Sequence, residues 1–118
     1  MKRDMDFARQ ILFEIEGLPH GNDVIFQPEI ENHSSDEVSY HIMLLVQAGY
    51  IEGEEAPDGW HASSLTWQGH EFLDAARDEP RWNKAKKIVM GKGGTITFEM
   101  LKQLLLELMK NAVFGKSA

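Results

Sequence analysis

The sequence contains no cysteine, and that one absence removes disulfides, zinc thiolate sites and thiol catalysis together. Nothing in it then points to an oxidising compartment. No apolar run approaches the roughly 20 residues that a membrane-spanning helix needs. Met1-Lys2-Arg3-Asp4 leads into mixed polar residues rather than the apolar core of a secretion signal. The expectation is a cytoplasmic protein with no membrane partner. Cations are scarce in the first half. Residues 1–60 hold three (Lys2, Arg3 and Arg9) against thirteen carboxylates, while residues 61–118 hold nine against six, for a net charge of −7. A sign asymmetry of this kind bears on partner choice or self-association rather than on fold.

Catalytic signatures are also missing. The five histidines (His20, His33, His41, His61 and His70) show no ligand spacing such as a pair four apart on one helix with a glutamate between. His41 is expected to pack where the second helix meets the following hairpin, and His70 to sit near a helix start. His70-Glu71 is an adjacent pair that diverges on a helix. Met90-Gly91-Lys92-Gly93-Gly94-Thr95 lacks the spacing of a phosphate-binding loop and reads as a linker. Ser63 and Ser64 have no nucleophile-elbow context. The expectation is a non-enzymatic protein without cofactor, metal or small-molecule substrate.

What is present suffices for one ordinary globular domain over residues 1–118. The chain is 42% hydrophobic and 26% charged, and at this length it buries roughly two-thirds of its unfolded surface. Met5, Ala8, Leu12 and Ile15, widened by Phe7 and Ile11, give a helical stripe over residues 4–16 that Gly17 and Pro19 end. Val24-Ile25-Phe26 reads as a short strand that extends past Pro28 to residue 31 only as an edge or broken strand. Residues 24–33 show little helical periodicity. Ser34-Ser35-Asp36-Glu37 is a capping box for a helix reaching Ala48, with Gly49 at the left-handed C-cap. Its inner face is Val38, His41, Ile42, Leu45 and Ala48, and its outer face Asp36, Ser39, Tyr40, Met43 and Gln47.

Residues 50–52 and 60–62 read as the strands of a hairpin whose polar tip, 54–59, holds a Pro57-Asp58-Gly59 turn. Thr66 suits the N-cap of a helix to residue 77, with Gly69, Phe72, Leu73 and Ala76 inward. Gly69 costs about 1 kcal/mol relative to alanine inside a helix, so close backbone packing is expected there. Pro80 fits the first turn of the next helix, which buries Trp82, Ala85 and Val89. The last helix runs over residues 97–113 on a Phe98, Leu101, Leu105, Leu108, Ala112 stripe. Its surplus of Leu104, Leu106 and Met109 suits either a homodimer or a monomer that surrounds it.

Ser39, His41-Ile42, Leu45 and Ala48-Gly49-Tyr50-Ile51 resemble the passage from recognition helix to wing in arsenic-repressor-type winged-helix regulators. Leu65 to Leu73 is similar to the helix that follows the wing in such proteins. A second resemblance covers nearly the whole chain. Met1 to Asp6, Val38 to His41, Leu65 to Asp74 and Trp82-Asn83-Lys84 resemble an uncharacterised family of short bacterial and prophage proteins. That resemblance implies a winged-helix-like fold and frequent association with mobile elements. It brings no activity with it. With the helices read above, the expectation is an α+β winged-helix-like domain with residues 80–113 as a C-terminal helical extension.

Two functions follow as expectations. A duplex-binding surface places Lys and Arg against phosphates, yet the presumed recognition helix has none, and the wing carries Glu52, Glu54, Glu55 and Asp58. The favoured expectation is therefore a protein partner or self-association through Ser39, Tyr40, Met43 and Gln47. The alternative is a DNA-binding regulator using Arg77, Arg81, Lys84 and Lys87, with Lys92 nearby, although such a charged face is more often simply solvated.

Overall fold

The structure, a computed structural model, describes residues 1–19, 21, 23–91 and 97–115, with only the backbone of Phe98. Its order is α1 (Met5–Glu16), α2 (Ser35–Gln47), β1 (Ile51–Ala56), β2 (Gly59–Leu65), α3 (Trp67–Ala76), α4 (Glu79–Gly91) and α5 (Phe98–Val113). This is an α+β arrangement of five helices and one two-stranded antiparallel sheet. The chain divides into two compact units, residues 1–71 and 72–118.

In the first unit, Asp4 caps α1 by accepting the Phe7 amide at 3.1 Å. Met5, Phe7, Ala8, Ile11, Leu12 and Ile15 are all buried, so the expected stripe is present. Gly17 does end the helix, but in a right-handed conformation (φ −73°) rather than a left-handed one. No helix occurs among the described residues between α1 and α2. The expected strand over 24–26 is a single bridge: Phe26 and Ala62 exchange backbone hydrogen bonds at 2.9 and 2.8 Å. Val24 and Ile25 are exposed, and Pro28 has no amide with which to continue a ladder. The Gln27 side chain donates to the Trp60 carbonyl at 3.0 Å.

The capping box of α2 is complete. Ser34 Oγ accepts from the Glu37 amide at 3.1 Å, and Glu37 Oε1 accepts from the Ser34 amide at 3.0 Å. Gly49 adopts φ +83° as expected of a C-cap glycine. Val38, His41, Ile42 and Leu45 are buried, but Ala48, the C-cap residue, is exposed. His41 does not lie at the hairpin. Its Nε2 accepts the Asp4 amide at 2.9 Å, its Nδ1 is 2.9 Å from the Glu37 carbonyl, and its ring stands edge-on to Phe7. A carbonyl only accepts and an amide only donates, so this geometry selects the neutral ring with its proton on Nδ1. His41 therefore joins the start of α1 to the first turns of α2.

β1 and β2 run longer than the sequence suggests, because Glu54 and Glu55 belong to the ladder and only Pro57 and Asp58 form the loop. The register shift between Glu52 and Gly53 leaves Ser63 as the extra residue of a bulge. Its hydroxyl is buried and donates to the Glu52 carbonyl at 3.3 Å. Thr66 then performs three tasks. Oγ1 accepts the Gly69 amide at 3.0 Å and donates to the Gly49 carbonyl at 2.6 Å, while its amide donates to the Tyr50 carbonyl at 3.0 Å. These bonds bring the start of α3 against the chain leaving α2. A Cβ on Gly69 would collide with the Tyr50 carbonyl oxygen, which explains the glycine.

In the second unit, Phe72, Leu73, Ala75 and Ala76 are buried, and Phe72 meets Trp82 edge-on with centroids 6.4 Å apart. Asp78 caps α4 by accepting the Arg81 amide at 2.8 Å, and Trp82, Ala85 and Val89 are its buried face. Thr97 caps α5 through the Met100 amide at 3.2 Å. The buried stripe of α5 is narrower than expected: Leu101 and Leu105 are fully buried, Leu108 is half-buried and Ala112 is exposed. Leu104, Leu106 and Met109 are half-buried. His20, the Phe98 side chain and most of the 91–94 linker, Lys92 included, lie outside the described residues.

Candidate interaction surface

The outer face of α2 is narrower than its sequence suggests. Tyr40 and Met43 are half-buried and Gln47 is exposed, one helical stripe at spacings of three and four. Ser39 is committed elsewhere. Its Oγ accepts the Trp60 amide at 2.8 Å, and Gly59, at φ +125°, packs so closely that an added Cβ would lie 2.7 Å from that same oxygen. Ser39 thus holds the hairpin turn onto α2 instead of facing a partner. Gln27 donates to the carbonyl of the same Trp60 at 3.0 Å, tying the segment before α2 to the hairpin, a role that no sequence pattern announced.

Beyond the cations at its N-terminal end (Lys2, Arg3 and Arg9), this unit is acidic. From Gln10 to Ala76 the chain contains no lysine or arginine, against thirteen aspartates and glutamates. Of these, Asp36, Glu52, Glu54, Glu55 and Asp58 are exposed on α2 and the hairpin. His61 Nε2 lies 3.7 Å from Asp58, and His33 Nδ1 lies 3.3 Å from Glu37. The Ser34 backbone amide, followed by the His33 side chain, holds the Glu37 carboxyl below the ordinary carboxylate range.

The four basic residues expected to face a duplex lie in different settings. α3 ends at Ala76, so Arg77 lies in the link before α4, where it pairs with Asp74 at 2.9 Å. Arg81 is half-buried and its Nη1 donates to the Ala75 carbonyl at 3.3 Å. Lys84 and Lys87 are exposed on α4. Lys86, by contrast, lies over the Trp82 ring at 5.7 Å.

Among the described residues no group of three His, Asp or Glu side chains is arranged to hold a metal. A groove of about 580 Å³ runs between residues 27–31 and the start of α2 and includes Glu29, Glu31 and His33. His33 is stacked on Phe7, with centroids 3.8 Å apart and rings 9° from parallel, and faces Glu37. That arrangement orders the start of α1 against the α2 cap. The sequence also gave no sign that Trp67, the first residue of α3, stands 76% exposed.

Residues 2–95 match the model of a family described as Hypothetical protein (DUF2513). The chain belongs to this family. An uncharacterised protein of Haemophilus influenzae is 33% identical over 108 residues, covering 88% of this chain and 92% of that protein. No solved structure matches the chain. The DUF2513 assignment covers both strands and the first four helices, and agrees with the family resemblance of the sequence motifs. Among the described residues no helix is long and apolar enough to cross a membrane.

Proposed function

We propose that this DUF2513 protein is a non-enzymatic, cytoplasmic interaction module whose first unit is winged-helix-like and engages a basic protein partner. In this reading α2 occupies the place of a recognition helix and β1–β2 that of the wing. The carrying observation is the uninterrupted absence of cations from Gln10 to Ala76, with five carboxylates exposed on α2 and the hairpin. A carboxylate held near a phosphate costs on the order of 1 kcal/mol in a watery interface, so this face repels a duplex and attracts a cationic surface. Tyr40, Met43 and Gln47 supply the uncharged centre of the contact, with carboxylates at its rim. Association with mobile elements belongs to the same proposal and rests on the motif resemblance.

A second reading has its own support. The second unit carries nine basic against five acidic residues, and the exposed Lys84 and Lys87 join no ion pair among the described residues. Duplex binding through α4, in a regulatory role, fits that charge. Titration of a random-sequence duplex at low and high salt separates the two. The interaction reading expects no binding at low salt; tight binding that collapses with salt and is lost in R81E/K84E establishes the DNA reading in its place.

A further inference from the structure

Trp67 is the least covered large apolar side chain of the chain's described residues, at 76% exposure. Its position is fixed from two sides. It follows Thr66, whose hydroxyl and amide hold the Gly49 and Tyr50 carbonyls. It therefore stands beside the C-terminal end of α2, where the helix dipole is negative and the last turn has no basic residue. One turn further along α3, about 5.4 Å up the axis, Glu71 is exposed. Its side chain joins no ion pair or hydrogen bond among the described residues.

An exposed aromatic face, a carboxylate one turn away and the negative end of a second helix all favour the same ligand group: a flat cation. A guanidinium stacks on an indole while its N–H fork reaches a carboxylate. The surroundings argue against an apolar occupant, because its neighbours on α3, Gln68, His70 and Glu71, are all exposed and would have to be stripped of water.

We propose that Trp67, Glu71 and the C-terminal end of α2 form a seat for an arginine side chain of a basic protein partner. The seat rests on the acidic-surface reading above and names the contact through which that surface grips. Tryptophan is enriched among residues that dominate interface energies, which makes Trp67 the anchor and the carboxylates of α2 and the hairpin the steering field.

The probe is a dye-labelled, end-blocked octa-arginine peptide, with anisotropy followed as the full chain is titrated at low and high salt. Wild type is expected to bind at low salt, and more tightly than to octa-lysine. W67A should weaken binding about tenfold or more, W67F should retain most of it, and E71Q should weaken it about threefold and flatten its salt dependence. Because the ring is exposed, W67A should melt with the wild type, so lost affinity reports the contact. If W67A binds within twofold of wild type, the seat is wrong while the acidic-surface reading survives. If wild type ignores octa-arginine at low salt, both are wrong. Trp67-dependent binding of single-stranded oligothymidylate tighter than that of octa-arginine overturns the class of partner.

Discussion

Replacing Gly69 with alanine inside α3 should destabilise the protein, against the sign that helix propensity gives. In an open helix interior the change favours folding by about 1 kcal/mol. Here the new methyl meets the Tyr50 carbonyl oxygen, lies 3.0 Å from its carbon and presses on Leu65 Cβ at 3.4 Å. The carbonyl cannot simply turn away, since it accepts the Thr66 amide and the neighbouring Gly49 carbonyl accepts the Thr66 hydroxyl. Relief requires α3 to withdraw, which costs about 1–3 kcal/mol in displaced packing. It also weakens one or two hydrogen bonds at about 1 kcal/mol each. The balance is about 2 kcal/mol of net destabilisation, or roughly 8 °C in Tm for a chain of this size. Urea denaturation of G69A beside G91A reads the sign directly. Gly91 ends α4 with nothing within 4 Å of an added Cβ, so G91A should be neutral or slightly stabilising. If G69A equals or exceeds wild type in stability, the close approach of α3 to Tyr50 is wrong, and with it the tight junction that places Trp67.

Three further outcomes follow from the caps and the buried histidine. H41A removes a buried ring and leaves the Asp4 amide without its acceptor, so it should cost about 2–4 kcal/mol in a denaturant melt; a loss below about 1 kcal/mol refutes the α1–α2 tie. S34A should cost about 1 kcal/mol in the same melt, because the Glu37 amide loses its acceptor. Glu37 titrates lower in the folded chain, through the Ser34 amide first and His33 second. Its contribution is therefore present above the unfolded value near 4.5 and is lost as pH falls through the lower folded value. E37Q should flatten the stability profile on that acid side and leave its slope near neutrality unchanged.

Features governed by neighbouring residues were legible in the sequence. The Ser34–Glu37 box, the Gly49 cap, Thr66 before α3 and the helical stripe of α1 all depend on spacings of a few residues, and the chain shows each of them. Even the glycine inside α3 announced a close approach, although not which carbonyl it protects. The misreadings all involve distant partners. Nothing local reveals that His41 turns towards Asp4, 37 residues away, rather than towards the hairpin. Nor does Ser39 show that its hydroxyl is spent on Trp60, 21 residues on. The 24–26 strand had the right composition and shrank to one bridge, because Pro28 has no amide for the next rung. In the basic region, the break between the helices near residue 77 was legible, but not that Arg81 would turn back to the Ala75 carbonyl.

The same distinction explains why shape and charge disagree along α2. The capped helix, its left-handed end and the hairpin behind it follow from the requirement to satisfy backbone groups and bury one stripe. Those requirements do not specify the charge of the exposed side chains. The outer surface is therefore the part of the design least determined by folding, and there the chain places carboxylates without a single lysine or arginine from Gln10 to Ala76. A surface kept at one sign over that length stores self-repulsion that a mixed surface would not. A cationic partner relieves that repulsion on binding, whereas a duplex adds to it. The geometry of α2 thus says how the helix is held, and the charges around it say what can approach.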